Sequence, residues 1–323
     1  MKISVGVDVS KSTIDVAFFG RDISQRSFGN NRTGIALLLK IIDEQKTDDL
    51  VITMEATGVY HLELAYRLFK AGLIVSVVNP LIIKRYSEMK MLRAKTDPVD
   101  ARLIANYGYH QEPSLFVPKS NKCQQIVAFL HMIEDYLGMK TQNTNRLEAL
   151  NVHPEKQVEV IDSINRVNQQ IDREIKFLEK MAHELLVEYD KDTYARVMDI
   201  PGVGKRTAAA MIGVFNHFEN FETAKQVSSY IGINPSPFSS GSSVRGRGSI
   251  SRKGNGYLRK LLYMAALSAS RSNEQCTSLY NRLLEQGKSK KVILIAVANK
   301  LLRQIFAIIK FRRKYFANYE PTF

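Results

Sequence analysis

Two aspartates three residues apart, Asp97 and Asp100, stand in the stretch Arg93-Ala94-Lys95-Thr96-Asp97-Pro98-Val99-Asp100-Ala101. Pro98 suits the first position of a helix, where its missing N–H leaves no bond unmade. Residues three apart share one face of a helical turn, so the two carboxylates stand side by side. Such neighbours repel, and a divalent cation relieves the repulsion. The pair also reads as a cap, because Asp at the N-cap and an acid in the first turn suit the free amides and the helix dipole. Two acids upstream extend the set. Asp8 breaks the apolar run that begins at Ile3, and Glu55 ends the run from Leu50. Each alone reads as a strand end emerging into solvent. Together the four are acids from central strands and a following helix, which is how two-metal nucleases assemble a site. Two Mg²⁺ ions ~3.5–4 Å apart would then clamp a scissile phosphate. Asp8, Glu55, Asp97 and Asp100 are therefore the candidate catalytic and metal-ligating residues.

The elements that must position these acids read as alternating strands and helices. Lys2–Val9 and Thr13–Gly20 alternate as strands about the turn Ser10-Lys11-Ser12, which makes a hairpin, and a third strand surrounds Phe28. Thr33–Gln45 carries Ile35, Leu38, Leu39 and Ile42 at helical spacing, with Thr33 as a cap. A strand over Leu50–Glu55, a helix over Tyr60–Ala71, a strand over Leu73–Asn79 and a helix from Pro80 follow. This order is α/β and matches a ribonuclease-H-like plan, a hairpin-led sheet followed by alternating units. Gly6-Val7-Asp8-Val9-Ser10 also suits the first phosphate loop of actin-like ATPases and sugar kinases, but no convincing second Asp-x-Gly loop or adenosine loop follows.

From Ser120 to Asp192 the texture changes. Ile126, Leu130, Ile133 and Leu137, then Val158, Ile161, Ile164, Val167, Ile171, Ile175, Leu178, Met181 and Leu185, recur at three- and four-residue steps on either side of His153-Pro154. Two long helices packed as a coiled-coil-like hairpin, or as a seam between subunits, satisfy this pattern.

Beyond Asp192, Ile200-Pro201-Gly202-Val203-Gly204-Lys205-Arg206-Thr207 resembles a helix-hairpin-helix turn. Its glycines let amides approach a phosphate and Lys205 or Arg206 adds charge, although a plain helix start accounts for it equally. Residues 239–255 are rich in Ser, Gly and Arg without an acid, a composition that suits a solvated linker. They run into a helix capped by Asn255 with Leu258, Leu261 and Leu262 inside and Arg259 and Lys260 outside. A basic loop leading into a basic amphipathic helix suits a DNA backbone, with Arg245, Arg247, Arg252, Lys253, Arg259 and Lys260 as phosphate contacts. An apolar helix over Val292–Ile309 is framed by Lys288, Lys290 and Lys291 and by Lys310, Arg312, Arg313 and Lys314.

Composition agrees with a polyanionic partner. Lysine and arginine number 46 against 32 acids, a net charge of +14, and the pI is near 9.6. That surplus, concentrated in the C-terminal third, points to nucleic acid. The two cysteines, Cys123 and Cys276, have no C-x-x-C spacing, so neither a zinc site nor a disulfide framework is expected. The first residues alternate as a strand and do not read as a signal peptide, and no uninterrupted apolar window of ~18 residues predicts a membrane span. A cytoplasmic protein is expected.

The landmarks Val7-Asp8-Val9-Ser10-Lys11, Met54-Glu55-Ala56-Thr57-Gly58, Lys95-Thr96-Asp97-Pro98-Val99-Asp100-Ala101, Ile200-Pro201-Gly202-Val203-Gly204, Gly232-Ile233-Asn234-Pro235 leading to Ser240-Gly241, and Gly254-Asn255 with Leu258-Arg259 occur in this order. So arranged, the sequence resembles the DEDD-type insertion-sequence transposases, which include Piv-type DNA invertases. The resemblance covers nearly the whole chain. It implies a RuvC-like domain over 1–118 whose four acids bind divalent metal, a helical coiled-coil segment over 119–192, and a mainly α C-terminal transposase domain over 193–323. In that last domain a serine before glycine, Ser240, acts as nucleophile. The resemblance further implies donor and target DNA as substrates, a bridge RNA as guide, and a dimer or tetramer in which the acids of one subunit meet the serine of another. The long serine run here leaves Ser239, Ser242 and Ser243 as rivals to Ser240. Two other functions fit the residues: a metal-dependent junction-resolving nuclease that uses water, and a non-enzymatic nucleic-acid scaffold, which the intact acids disfavour.

Overall fold

Alternating valine and isoleucine from Ile3 to Val9 build the central strand of the first unit, and the rest of that unit assembles around it. The computed structural model describes residues 3–20, 25–45, 49–56, 58–91, 97–155, 157–236, 239–240, 244–245, 249–250 and 254–317. Within these, positions 97–99, 235–236, 239–240, 244–245 and 249 are described in backbone only. The chain divides into two compact units, Met1–Pro118 and Lys119–Phe323.

Unit 1 runs β1 (Ile3–Val9), β2 (Thr13–Phe19), β3 (Arg26–Gly29), α1 (Arg32–Glu44), β4 (Leu50–Glu55), α2 (Leu62–Lys70), β5 (Ile74–Val78), α3 (Pro80–Met89) and α4 (Asp97–His110). The sheet order is β3-β2-β1-β4-β5, antiparallel through the β1–β2–β3 meander and parallel from β1 to β4 to β5. One face is a dry layer: Val5, Val7 and Val9 of β1 and Ile52 and Met54 of β4 pack with Ile35, Leu38 and Ile42 of α1 and Leu64 and Leu68 of α2. Period-2 alternation sends the intervening residues to the opposite face, which α4 covers. The α1 cap is Asn31, whose side chain accepts from the Gly34 amide, and not Thr33 two residues later.

Unit 2 runs α5 (Asn121–Val152), α6 (Val158–Met198), α7 (Lys205–Phe215), α8 (Ala224–Ile231), the two-residue strands β6 (Pro235–Ser236), β7 (Ser239–Ser240), β8 (Val244–Arg245) and β9 (Ser249–Ile250), then α9 (Gly256–Ser272), α10 (Glu274–Glu285) and α11 (Lys290–Phe311). The turn at His153-Pro154 separates α5 from α6 as the sequence indicates. Their stripe closes within the chain, because Ile133 of α5 packs with Ile171 and Ile175 of α6. Nearer the other end, Ile126, Leu130, Leu186, Tyr194 and Val197 enter the same core as α7 to α11. The two long helices thus share the hydrophobic core of the C-terminal helices. α11 is long and apolar enough to cross a membrane by composition, and its place at the centre of that core, with Ile293, Val297, Leu301, Leu302 and Ile305 buried, accounts for its apolarity. Cys123 and Cys276 are free, buried thiols.

A polar elbow interrupts α6. Asp190 leaves helical geometry (φ −159, ψ 87) and accepts from the Thr193 amide and hydroxyl at 2.9 and 2.7 Å. His217 Nε2 lies 2.8 Å from Asp190 Oδ2 and its ring stacks on Tyr189. His217 is the middle one of three consecutive left-handed residues, Asn216, His217 and Phe218, a conformation that costs about 1–2 kcal/mol per non-glycine residue. The Glu219 carboxylate and the Lys310 ammonium hold this turn, bonding the Asn216 amide and the Phe218 carbonyl at 2.7 and 2.9 Å.

Candidate active site

Ser4, Gly6 and Asp8 on β1 and Thr53 and Glu55 on β4 face α4. The contact that fixes this is at Gly6, where a Cβ would stand 2.1 Å from both the Ala101 carbonyl oxygen and the Ala105 amide nitrogen. Gly108, two turns later, fits the same way against Thr53 and Ser4. α4 therefore runs antiparallel to β1, with Gly108 over the start of the strand and Ala101 over its middle. At ~1.5 Å per helical residue and ~3.3 Å per strand residue, the first turn of α4 comes level with Asp8. Asp97 opens that turn, its side chain outside the described part, and half-buried Asp100 closes it. Asp8 and Glu55 are also half-buried. Gly6 pairs with Thr53 and Val7 with Met54 in parallel register, so Asp8 and Glu55 lie abreast at the carboxyl ends of adjacent strands. Parallel strands ending together make the crevice where α/β folds bind ligands.

Asp15 joins this group. It pairs directly with Asp8 across the hairpin, on the same face, and like charges opposed in a ladder are destabilising. Sequence reasoning passed it over, although the hairpin turn carries the signal: with Ser10 N bonded to Thr13 O, counting outward from Lys11-Ser12 puts residue 15 opposite residue 8. Among the described residues no three His, Cys, Asp or Glu side chains are gathered closely enough to hold a metal.

In unit 2 the described parts of the serine-rich segment form two short antiparallel strand pairs. Pro235 and Ser236 pair with Ile250 and Ser249, and further out Ser239 and Ser240 pair with Arg245 and Val244. Ser240 thus stands opposite Val244, with Arg245 one position back. Arg247, Arg252 and Lys253 lie outside the described residues. At the start of α9 the Asn255 side chain caps the helix by accepting from the Leu258 amide at 3.0 Å.

The remaining basic candidates divide by partner. Lys205 is exposed at the start of α7. Arg206 bonds Glu179 of α6 at 2.6 Å, Lys260 pairs with Glu134 of α5, and Arg259 donates to the Ile231 carbonyl at 3.1 Å. These three fasten α7 and α9 to their neighbours. Glu134 also sits beside Tyr257, whose hydroxyl is pushed up to about 12 by burial first and by that carboxylate second. Gly202 in the preceding turn has φ +93, and a Cβ there would stand 2.5 Å from Ala269 of α9. Its glycine admits a helix backbone, while Gly204 remains open and caps α7.

Comparison with known proteins matches residues 5–151 to a DEDD-type IS110 transposase family and residues 194–281 to the family described as Transposase IS116/IS110/IS902. The chain is 31% identical to the pilin gene-inverting protein of Moraxella bovis over 97% of this chain and 98% of that one. It belongs to the IS110 transposase family. The pilin gene-inverting protein of Moraxella lacunata is 32% identical over the same shares. A transposase for insertion sequence element IS1328 from Yersinia enterocolitica is 23% identical over 90% of this chain and 95% of that one.

As an IS110-family transposase the chain is an enzyme that cleaves and rejoins DNA. The first family match runs from residue 5 of unit 1 to the last residue but one of α5, so it contains all four sequence-selected acids; the second contains the Gly202 turn, the serine-rich segment and α9. The acids offer only oxygen donors, at the strand edge that the close approach of α4 to Gly6 brings level with its first turn. Such a set suits a hard divalent cation and not a thiolate- or imidazole-preferring metal.

Proposed function

We propose that this transposase is a site-specific recombinase that moves or inverts a DNA segment, with Asp8, Glu55, Asp97 and Asp100 holding two Mg²⁺ ions and Ser240 attacking the DNA phosphate. The observation that carries this reading is the backbone contact of Gly6 with Ala101, which brings the first turn of α4 level with Asp8 and Glu55. The opposed Asp8–Asp15 pair supports it, because a bound cation offsets that repulsion. The ions, when bound, polarise the phosphate and stabilise the charge that develops on it.

Ser240 forms the new bond. Its oxygen bonds to phosphorus as the P–O bond to the departing strand breaks; the hydroxyl proton leaves to a base and the departing oxygen gains one. The phosphoserine ester conserves the bond, so a second DNA hydroxyl rejoins the strand by the reverse step without ATP. A serine is a poor nucleophile at neutral pH without activation. No His neighbours Ser240 in sequence, so the carboxylate site must supply that activation, from the same or another subunit of a dimer or tetramer. Arg245, Arg247, Arg252 and Lys253, with Lys205, contact DNA phosphates or a bridge RNA that pairs with donor and target.

Asp8→Asn and Glu55→Gln test the acid site. Mn²⁺ binding followed by electron paramagnetic resonance should weaken, and plasmid recombination should disappear, in a protein that melts like wild type. Wild-type recombination by either variant would return these acids to the role of solvated strand ends.

A further inference from the structure

We infer that Val59, Tyr60 and Leu62 form a crest that stacks an unpaired base beside the carboxylates during cleavage. The inference rests on the reading that DNA is cut at Asp8 and Glu55, and it adds how the strand is presented there. The crest follows Glu55 by four to seven residues, at the carboxyl edge of the parallel strands. Val59, Tyr60 and Leu62 are 67%, 45% and 50% exposed, whereas His61 between them is buried at 6%. One inward anchor therefore holds three outward apolar side chains.

The backbone under the crest is fastened to the strand that carries Asp8. The Asn30 side-chain amide donates to the Ser10 carbonyl at 2.8 Å and to the Tyr60 carbonyl at 3.3 Å. Ser10 lies two residues beyond Asp8, so a single amide ties the crest to the acid edge. The Asn30 backbone amide donates to the Ser12 carbonyl at 2.8 Å, and the Leu62 amide donates to the Val59 carbonyl at 3.2 Å. This backbone is braced, and its apolar side chains have no core to fill.

An aromatic face stacks on any base without reading its edge, and aliphatic side chains wedge between base steps and unstack them. A braced aromatic with two aliphatic neighbours, next to acids that cut DNA, has the chemistry to hold a splayed nucleotide. A protein partner fits less well, since three side chains cover far less than the ~800 Å² per partner of a stable interface.

The test uses full-length protein, Ca²⁺ in place of Mg²⁺, and a gapped DNA duplex carrying 5-iododeoxyuridine in the gap. Photo-crosslinks mapped by peptide mass spectrometry should fall on Tyr60. Tyr60→Ala should lose that crosslink and recombine about ten- to a hundredfold more slowly with unchanged melting, and Tyr60→Phe, which keeps the ring, should retain both. Crosslinks elsewhere, with Tyr60→Ala fully active and Glu55→Gln inactive, would overturn the crest and leave the acid site standing. A Tyr60 crosslink with Glu55→Gln fully active would uphold the crest and remove the acid site. A smaller species for Tyr60→Ala in light scattering, without a Tyr60 crosslink, would make the crest a subunit contact and overturn the inference.

Discussion

Gly6 meets the backbone of Ala101 so closely that a Cβ on Gly6 would stand 2.1 Å from its carbonyl oxygen. Neither partner is a flexible side-chain end, so any added atom must move α4 away from β1. Gly6→Ala should cost about 1–3 kcal/mol by overpacking and lower recombination at least tenfold with helix content unchanged. Thermal melting and a plasmid assay read the two effects. Wild-type recombination in a destabilised Gly6→Ala protein would show that this spacing does not set the acids.

The helices α5 and α6 separate stability from assembly. Ile171 is buried against Ile133, so Ile171→Lys should destabilise the helix pair by several kcal/mol through an unpaired buried charge. Val167 and Phe177 are exposed apolar residues of α6. Replacing both by Asp should shrink the species seen by light scattering without lowering the melting temperature. An unchanged mass would place subunit contacts elsewhere.

Asp190 makes the elbow sensitive to acid. Burial works against its charge, but bonds from the Thr193 hydroxyl and amide and from His217 outweigh that and hold its carboxyl below the ordinary range. A depressed folded pKa gives stability that is present above the unfolded value and lost as pH falls through the folded one. Asp190→Asn should therefore lose about 1.5–3 kcal/mol at neutral pH. Its melting temperature should also fall less steeply than wild type as pH drops below ~4, near the unfolded carboxyl value. Equal melting at pH 7 would remove Asp190 from the fold's support.

Reversing Arg245 and Arg247 to Glu should lower the slope of log K against log[salt] by ~0.7–0.9 for each phosphate that is no longer neutralised. Arg206 and Lys260 carry surface ion pairs with Glu179 and Glu134, worth at most ~1 kcal/mol of stability each, and Arg206→Ala should change melting only slightly. An unchanged salt slope for the reversed pair would take the serine-rich segment off the nucleic-acid surface.

Unit 1 was legible because its strands alternate and its helices carry apolar stripes; the sheet's element order and the edge where Asp8 and Glu55 end follow from that patterning. What sequence spacing cannot express is a close approach, and Gly6 against Ala101 depends on the absence of two side chains. Asp15 escaped notice because cross-strand register comes from counting around a turn. The Ser239–Arg245 pairing was hidden by a composition that disfavours strands. The contact of His217 with Asp190 joins the turn after α7 to the elbow of α6 and leaves no periodic trace. On α5 and α6 the stripe fits a hairpin or a seam between subunits equally, and only packing tells that Ile133 and Ile171 close it within one chain.

The most direct test of the serine mechanism is capture of the covalent protein–DNA species. Wild-type protein, incubated with Mg²⁺, the proposed bridge RNA and a labelled DNA substrate and then denatured, should carry labelled DNA on a peptide containing phosphoserine 240. Ser240→Ala should bind the same DNA and yield neither adduct nor recombinant. Loss of the adduct in Ser239→Ala, Ser242→Ala or Ser243→Ala with Ser240→Ala active would move the nucleophile to another serine of the run. Cleaved DNA without an adduct in wild type, and full activity in all four variants, would contradict the serine step and make water the nucleophile.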